Sequence, residues 1–344
     1  MKKLTIAISG MNATDNPSAG ISVARSLRQS EYKDCRIVGL SYGALEPGNY
    51  MRDLVDVAYQ LPNPSEGSEL LFSRLAYIQQ KEKIDVIIPN LDAELNSFIL
   101  LKSQLGLLNI GTYLPSLEQF ELRQKYNLPK LSTLTGIDIP ESRNCFSYND
   151  LMDLNCEFPL VVKGQFYEAV IARNQEQLFS AFNNISCRWG LPIIVQRFVS
   201  GAEFNVIGLS DGAGRLLSYV AMRKQYITDK GKAWAGVTIN DENLLDLTRT
   251  FVQKTSWKGP FELELIRSDE GKFYLIEVNP RIPAWVYLAT ASGQNIPELI
   301  VKLIKNEKIS PNLEYEVGKM FIRCSWDMIV DFSEFGKFSS KAEL

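Results

Sequence analysis

Short apolar runs alternate with amphipathic stretches over the first hundred residues, and this alternation constrains the fold more than any other feature. Residues 4–9 (LTIAIS) read as a strand ending at Gly10, and Ile21, Ala24 and Leu27 recur at helical spacing within 20–30. A second strand is expected at 36–41 (RIVGLS), a third at 55–61 and a fourth at 85–89 (DVIIP). Leu70, Leu71, Leu75 and Ile78 mark a helix over 69–81, and a further helix covers 93–105. Strand and helix in turn imply a parallel sheet with helices on both faces. Ligands of such sheets bind beyond the carboxyl ends of the strands. Two loops leave those ends, one with Asn12 and Asp15, the other with Asp92 and Glu94. These four are candidate substrate contacts, although Asp92 reads equally well as a helix N-cap. The first loop lacks GxGxxG, so nothing argues for a dinucleotide.

From Ser116 the texture changes to α+β. A helix is expected over 117–126 and a turn at 136–141 feeding a strand. Two strands of a hairpin follow at 159–164 (PLVVKG) and 169–172 (AVIA), then a helix over 175–183. Strands are expected at 192–198, 204–209 and 216–222, and a helix over 244–255. A hairpin joins 261–267 to 272–278 across Ser268-Asp269-Glu270-Gly271. A helix over 296–305 and a β-rich tail around 319–332 complete the reading.

The 344 residues contain no histidine. Ser-His-Asp and Cys-His nucleophilic catalysis are therefore excluded, as are His-ligated metals. Acid-base or metal chemistry must use carboxylates, Lys, Arg, Tyr or amides, and the natural metal for such donors is Mg²⁺. The net charge of -3, with Lys and Arg dispersed, gives no nucleic-acid surface. No apolar run approaches the roughly 20 residues of a membrane helix. The start MKKLTIAIS resembles a signal peptide only until the polar residues 12–18, so it is read as a buried strand. Five widely spaced cysteines form neither a zinc pattern nor a disulfide framework, as expected in a reducing cytoplasm.

The densest chemical signal is GPFELELIRSDEGKFYLIEVNPR, residues 259–281. Successive strand residues point to opposite faces, so Glu262 and Glu264 share a face, as do Glu277 and Asn279 on the partner strand. Carboxylates so close must be paired or metallated. With no His or Cys among them, the expected ligand is Mg²⁺ on ATP phosphates. Arg281 could hold a phosphate or carboxylate in a bidentate fork. Glu262 alone reads equally as a solvated acid.

These residues resemble the ATP-grasp superfamily, whose members carry a metal-binding Glu on one strand and E-x-N-x-R on the next. The resemblance makes Glu264, Glu277 and Asn279 metal ligands. It makes Arg281, Lys224 and Arg223 the catalytic cations. Lys125 matches the first nucleotide-binding lysine, 136–140 the family's G-[IV]-x-[VI]-P turn, and Lys163 the lysine that reaches the α-phosphate. Residues 196–203 (QRFVSGAE) resemble the adenine hinge. There Gln196 faces the amino group, backbone groups near Phe198 and Val199 bond the base, and Glu203 binds the ribose. Residues 223–231 look like a basic loop closing over the phosphates. The segment 163–169 has a single glycine where many relatives have a glycine-rich lid, which implies a short lid. The N-terminal half and EVNPRIPAW look closest to stand-alone proteins similar to the carbamoyl-phosphate synthase large subunit or biotin carboxylase.

The resemblance implies an α/β chain: a parallel-sheet pre-ATP-grasp domain at 1–112 and a two-lobed ATP-grasp domain at 113–308. The lid lies at about 127–194, and a β-rich tail at 309–344. It further implies an ATP-dependent ligase using ATP and Mg²⁺, with Mn²⁺ as a substitute. A small-molecule or peptide carboxylate would become an acyl phosphate and pass to an amine, or to a thiol. Partners would include neither nucleic acid nor membrane. Relatives are often dimers, so a homodimer is an expectation. A non-catalytic ATP-binding sensor and a bicarbonate-phosphorylating enzyme are the alternatives.

Overall fold

The computed structural model describes residues 3–14, 17–154, 157–165, 168–228 and 231–344. The parallel sheet expected from the alternation is present, with strand order β3-β2-β1-β4. Its strands are β1 (Thr5–Ser9), β2 (Arg36–Ser41), β3 (Val57–Gln60) and β4 (Val86–Ile88). Around it pack α1 (Gly20–Arg28), α2 (Ser68–Glu82), α3 (Asp92–Leu100) and α4 (Lys102–Leu107). The pleat sends Ile6, Ile8, Ile37, Val86 and Ile88 into one core. Ala7, Val38, Leu40 and Ile87 enter another on the opposite face. Both faces are thus covered, the usual state of a parallel sheet.

Helices α5 (Leu117–Leu122) and α6 (Leu128–Thr135) lead into a small antiparallel sheet of order β5-β8-β6-β7. It comprises β5 (Ser142–Cys145), β6 (Leu160–Lys163), β7 (Ala169–Ala172) and β8 (Ile193–Arg197), with α7 (Tyr148–Met152) and α8 (Gln175–Trp189). Leu160, Val162, Phe182 and Ile185 are among the residues of its separate core. The expected helix over 117–126 is shorter, because a 3₁₀ turn at Lys125–Asn127 precedes Pro129. Proline fits the first turn of a new helix but not the interior of an old one.

The third sheet is six-stranded and antiparallel, of order β13-β12-β9-β10-β11-β14. Its strands are β9 (Gly201–Asp211), β10 (Leu216–Ile227), β11 (Ala233–Ile239), β12 (Lys258–Ser268), β13 (Phe273–Asn279) and β14 (Met320–Ile322). The sequence reading missed β11, and it took residues 223–231 for a loop although β10 runs through Ile227. One face packs on α9 (Glu242–Thr255) through Phe204, Val206, Phe261, Leu263 and Leu265. The other face adds Ile207, Leu209, Val220 and Met222 to the core shared with α1, α10 (Val286–Ala291) and α11 (Ile296–Ile304).

A β-bulge in β13 divides that strand between the two faces. Glu264 pairs with Glu277, but Leu265 pairs with Leu275, leaving Ile276 as the extra residue. Phe273, Leu275 and Val278 therefore all enter the α9-side core. A regular pleat would place Leu275 and Glu277 on the same face. The bulge turns Glu277 and Asn279 to the opposite face, where Glu262 and Glu264 lie.

The tail departs from expectation. Its only strand among the described residues is the three-residue β14, and α12 (Phe332–Lys341) follows. Phe338 anchors this helix as its fully buried residue. Ala58 and Leu344 then exchange backbone hydrogen bonds of 3.0 and 2.9 Å, closing the outer edge of β3. Among the described residues no helix is long and apolar enough to cross a membrane.

Gly208 lies opposite Phe261 across β9 and β12. A Cβ at Gly208 would come within 2.3 Å of the Phe261 ring, which is itself packed on Phe251 and Trp257 at centroid distances of 5.2 and 6.3 Å. Gly208→Ala should therefore destabilise the chain by about 1–3 kcal/mol through overpacking. Urea unfolding measures this, and an unchanged midpoint would contradict the packing described.

Candidate active site

The core-sharing face of the six-stranded sheet changes from apolar to charged along its strands. On β9, Ile207 and Leu209 give way to Asn205 and Glu203; on β10, Val220 and Met222 give way to Lys224. On β12 and β13 the pairs Glu262–Asn279 and Glu264–Glu277 face each other in register. The Asn279 Nδ2 donates to Glu262 Oε2 and to Glu264 Oε1, both at 3.0 Å.

Cations flank this row. Lys224 donates to Glu203 at 2.7 Å and to Glu264 at 3.3 Å. Lys125, in the 3₁₀ turn before α6, lies 3.4 Å from Glu277. Lys163 ends β6 and donates to Gln196 Oε1 at 2.7 Å, while Gln196 Nε2 donates to Ser142 at 2.8 Å. The Gln196 amide is thus committed to two neighbours in its own sheet. Phe198 and Val199 form the connection from β8 to β9, and the Phe198 N–H donates to the Pro159 carbonyl at 3.2 Å.

The electrostatics follow from this crowding. Burial raises the Glu262 carboxyl, and the Glu264 charge raises it further. Burial acts on Glu264 in the same sense, but Lys224 and Lys232 overcome it and hold Glu264 well below the usual carboxylate range. Two like groups are thus driven apart in acidity, as close pairs are. Burial would lower Lys224, yet Glu264 and Glu203 hold it above the ordinary lysine value. Dehydration dominates at Lys163, and its ammonium is lowered to about 8 despite Glu277 nearby.

Beside the row opens a cleft of about 250 Å³ between the parallel sheet's loops and the 281–285 segment. Arg281 Nε donates to Asp92 at 2.6 Å, and Asp92 also lies 3.4 Å from Arg123 of the α5 C-terminus. Burial opposes the Asp92 charge, but the two guanidiniums win and lower its pKa. Asp92 is thus an ion-pair partner at the first residue of α3, while the N-cap position itself is Leu91. Lys232, Trp285, Asn90 and Arg323 complete much of the wall.

Three expectations fail here. Arg223 is exposed, because it alternates with Lys224 along β10 and projects from the other face. Glu94 is fully buried away from the cleft lining. It accepts from the Asn90 and Leu91 N–H groups at 2.9 and 3.0 Å, and from Ser9 and Tyr42, so it caps α3 and ties the strand ends together. Asn12 is half-buried, accepts from the Thr14 N–H at 3.1 Å, and is not in the cleft lining. Asp15 lies outside the described residues, as do Phe166 and Tyr167 of the expected lid.

Glu262, Asn205, Trp285, Lys232 and Arg323 were not picked out as site residues. Strand parity with Glu264 was the available signal for Glu262. Arg323 carried none, since it reaches the cleft only because β14 pairs with β11.

Among the described residues no three acidic, Cys or His side chains form a metal cluster. Glu264, Glu277 and Asn279 offer two carboxylates and an amide. That set suits Mg²⁺, which keeps several waters and is shared with phosphates, better than a metal needing a full protein cage.

Residues 191–320 match a family model described as "ATP-grasp in the biosynthetic pathway with Ter operon". The carbamoyl phosphate synthase large chain of Clostridium beijerinckii is 25% identical over 253 residues, covering 67% of this chain and 23% of that one. The Pyrococcus furiosus large chain is 22% identical over 287 residues, covering 78% and 27%. This chain therefore spans about a quarter of the length of those relatives. Among solved structures, the biotin carboxylase domain of Hydrogenobacter thermophilus 2-oxoglutarate carboxylase superposes with a TM-score of 0.70 at 14% identity, covering 90% of this chain and 71% of that one. That domain is a dimer in complex with MgADP, ADP and bicarbonate. The L-amino acid ligase of Bacillus licheniformis superposes with a TM-score of 0.67 at 18% identity, covering 90% and 78%. Residues 191–320 thus match an ATP-grasp family model, and the chain is related in sequence to the carbamoyl phosphate synthase large chain and similar in fold to biotin carboxylase.

Proposed function

We propose that this chain is an ATP-dependent ligase that activates a carboxylate as an acyl phosphate and passes it to an amine, or to a thiol, with a peptide or amino acid as the carboxylate substrate. The observation that carries this reading is the charged row itself. Glu264, Glu277 and Asn279 lie together on one sheet face, with Lys125, Lys163 and Lys224 around them and Arg281 at the adjoining cleft.

In this reading Glu264, Glu277 and Asn279 would hold Mg²⁺, which would supply charge neutralisation for phosphoryl transfer. Lys125 and Lys163 fix the nucleotide phosphates as compact point charges. Phe198 and Val199 contribute backbone groups to the base, Gln196 borders it, and Glu203 accepts from the ribose hydroxyls. Lys224 is released from Glu203 when the nucleotide enters and turns to the transferred group. Arg281, held by Asp92, presents its remaining guanidinium edge to the acceptor carboxylate in the cleft. A carboxylate oxygen takes the phosphoryl group, the amine nitrogen then bonds to the acyl carbon, and phosphate leaves with that oxygen. No histidine and no protein nucleophile is required.

Relationship to carbamoyl phosphate synthase favours bicarbonate as a second candidate carboxylate. ADP release measured with a panel of amino acids, dipeptides and bicarbonate separates the two. Release with none of these acceptors, despite Mg-ATP binding, would leave a nucleotide sensor instead.

Glu277→Gln should lower acceptor-dependent ADP release by more than about a hundredfold, beyond the 10–100-fold typical of outer-shell losses. Unchanged turnover would remove Glu277 from the metal set. A pH effect follows from Lys163, whose ammonium is lowered to about 8. Its charge is present below that value and lost above it. ADP affinity should therefore fall by roughly tenfold between pH 7 and pH 9. Lys163→Arg should abolish the dependence, because a guanidinium stays charged. Calorimetric titration at both pH values checks this; equal slopes for the two proteins would exclude Lys163 from the nucleotide site.

A further inference from the structure

Glu262 is 4% exposed, and donors surround its carboxylate. Oε1 accepts from Asn205 Nδ2 at 2.6 Å and from Trp285 Nε1 at 2.7 Å. Oε2 accepts from Asn279 Nδ2 at 3.0 Å and lies 3.7 Å from the Arg281 Nη1. An indole N–H and a guanidinium can only donate. With both oxygens engaged in this way, Glu262 is poorly placed to take a substrate proton. Its position instead governs four other groups.

The Asn279 amide is the most consequential of these. Its nitrogen donates to Glu262 and Glu264 together. Two carboxylates therefore fix which end of the amide is which, and Oδ1 is turned away from them. Oxygen, not nitrogen, is the atom a hard divalent cation requires. Arg281 is steadied from both sides, by Asp92 at 2.6 Å and by Glu262. Trp285 is tied by its N–H to the same carboxylate.

We propose that Glu262 is a positioning residue, which locks the Asn279 amide with its oxygen toward the metal and holds Arg281 and Trp285 against the cleft. This rests on the Mg-nucleotide reading given above. Outer-shell partners of this kind typically change metal affinity by 10–100-fold when removed.

Glutamine is isosteric with glutamate but brings an NH₂ group that must face a donor on one side or the other. Glu262→Gln should let the Asn279 amide turn over and withdraw its oxygen. Calorimetric titration of the full chain with ADP, once with Mg²⁺ and once with EDTA, reads this directly. The expected result is a 10–100-fold weakening of Mg-ADP, with ADP in EDTA unchanged within about twofold. A purely structural role would weaken both equally, and that result overturns the proposal. So does an E262Q affinity for Mg-ADP equal to that of a wild-type protein that binds Mg-ADP well. If E262Q does not fold, Glu262→Asp carries the same test, since it keeps the charge but draws the oxygens back by one methylene. A wild-type chain indifferent to Mg²⁺ and ADP would refute the proposed function, and this role with it.

Discussion

Confinement of like charge on a single sheet face is the condition under which everything else in this structure operates. Glu262, Glu264 and Glu277 occupy neighbouring positions on β12 and β13. Unpaired carboxylates in such a place would cost more than packing could offset. Each is answered by a cation from a different part of the chain: Lys224 from β10, Lys125 from the turn before α6, and Arg281 from the end of the hairpin. The neighbouring Lys163 reaches in from the separate small sheet. Arg281 is in turn braced by Asp92 from the parallel-sheet unit. Compensation of the row thus draws together all three sheets.

The pleat makes this arrangement compatible with stability. On β9, β10 and β12 one set of alternate residues is almost wholly apolar and packs under α9. The opposite set is divided along its length, with Ile207, Leu209, Val220 and Met222 in the core shared with the parallel sheet. Asn205, Lys224, Glu262 and Glu264 continue from them toward the cleft. The same face therefore both fastens the sheet to its neighbour and presents polar groups where that contact opens.

Much of the fold was legible because periodicity is local. Runs such as LTIAIS and DVIIP identify buried strands, and 70, 71, 75 and 78 identify a helix, without reference to the rest of the chain. The hairpin could be paired because its turn is short. What escaped was either non-periodic or non-local. The strand β11 carries a glycine and a half-buried start, and α6 has in its first turn a proline that also suits a loop. Glu94 could not be told from Asp92 by spacing, since only the packed sheet shows that one caps inward and the other reaches Arg281. Arg223 was separable in principle: had 223–227 been recognised as strand, its parity would have opposed it to Lys224.

The bulge at Ile276 carries a lesson about insertions and deletions. The turn at 268–271 lies beyond it, toward the distal end of the hairpin, so that loop can lengthen or shorten while the strands keep their pairing. Losing Ile276 itself would leave Leu275 and Glu277 adjacent and on the faces they already occupy, whereas keeping it in an unbroken pleat would bring the core leucine and the carboxylate onto one side of the sheet. Transplanting this motif into another scaffold therefore means carrying the irregularity along with the acids, because the spacing written in the sequence is correct only for a strand that breaks step once.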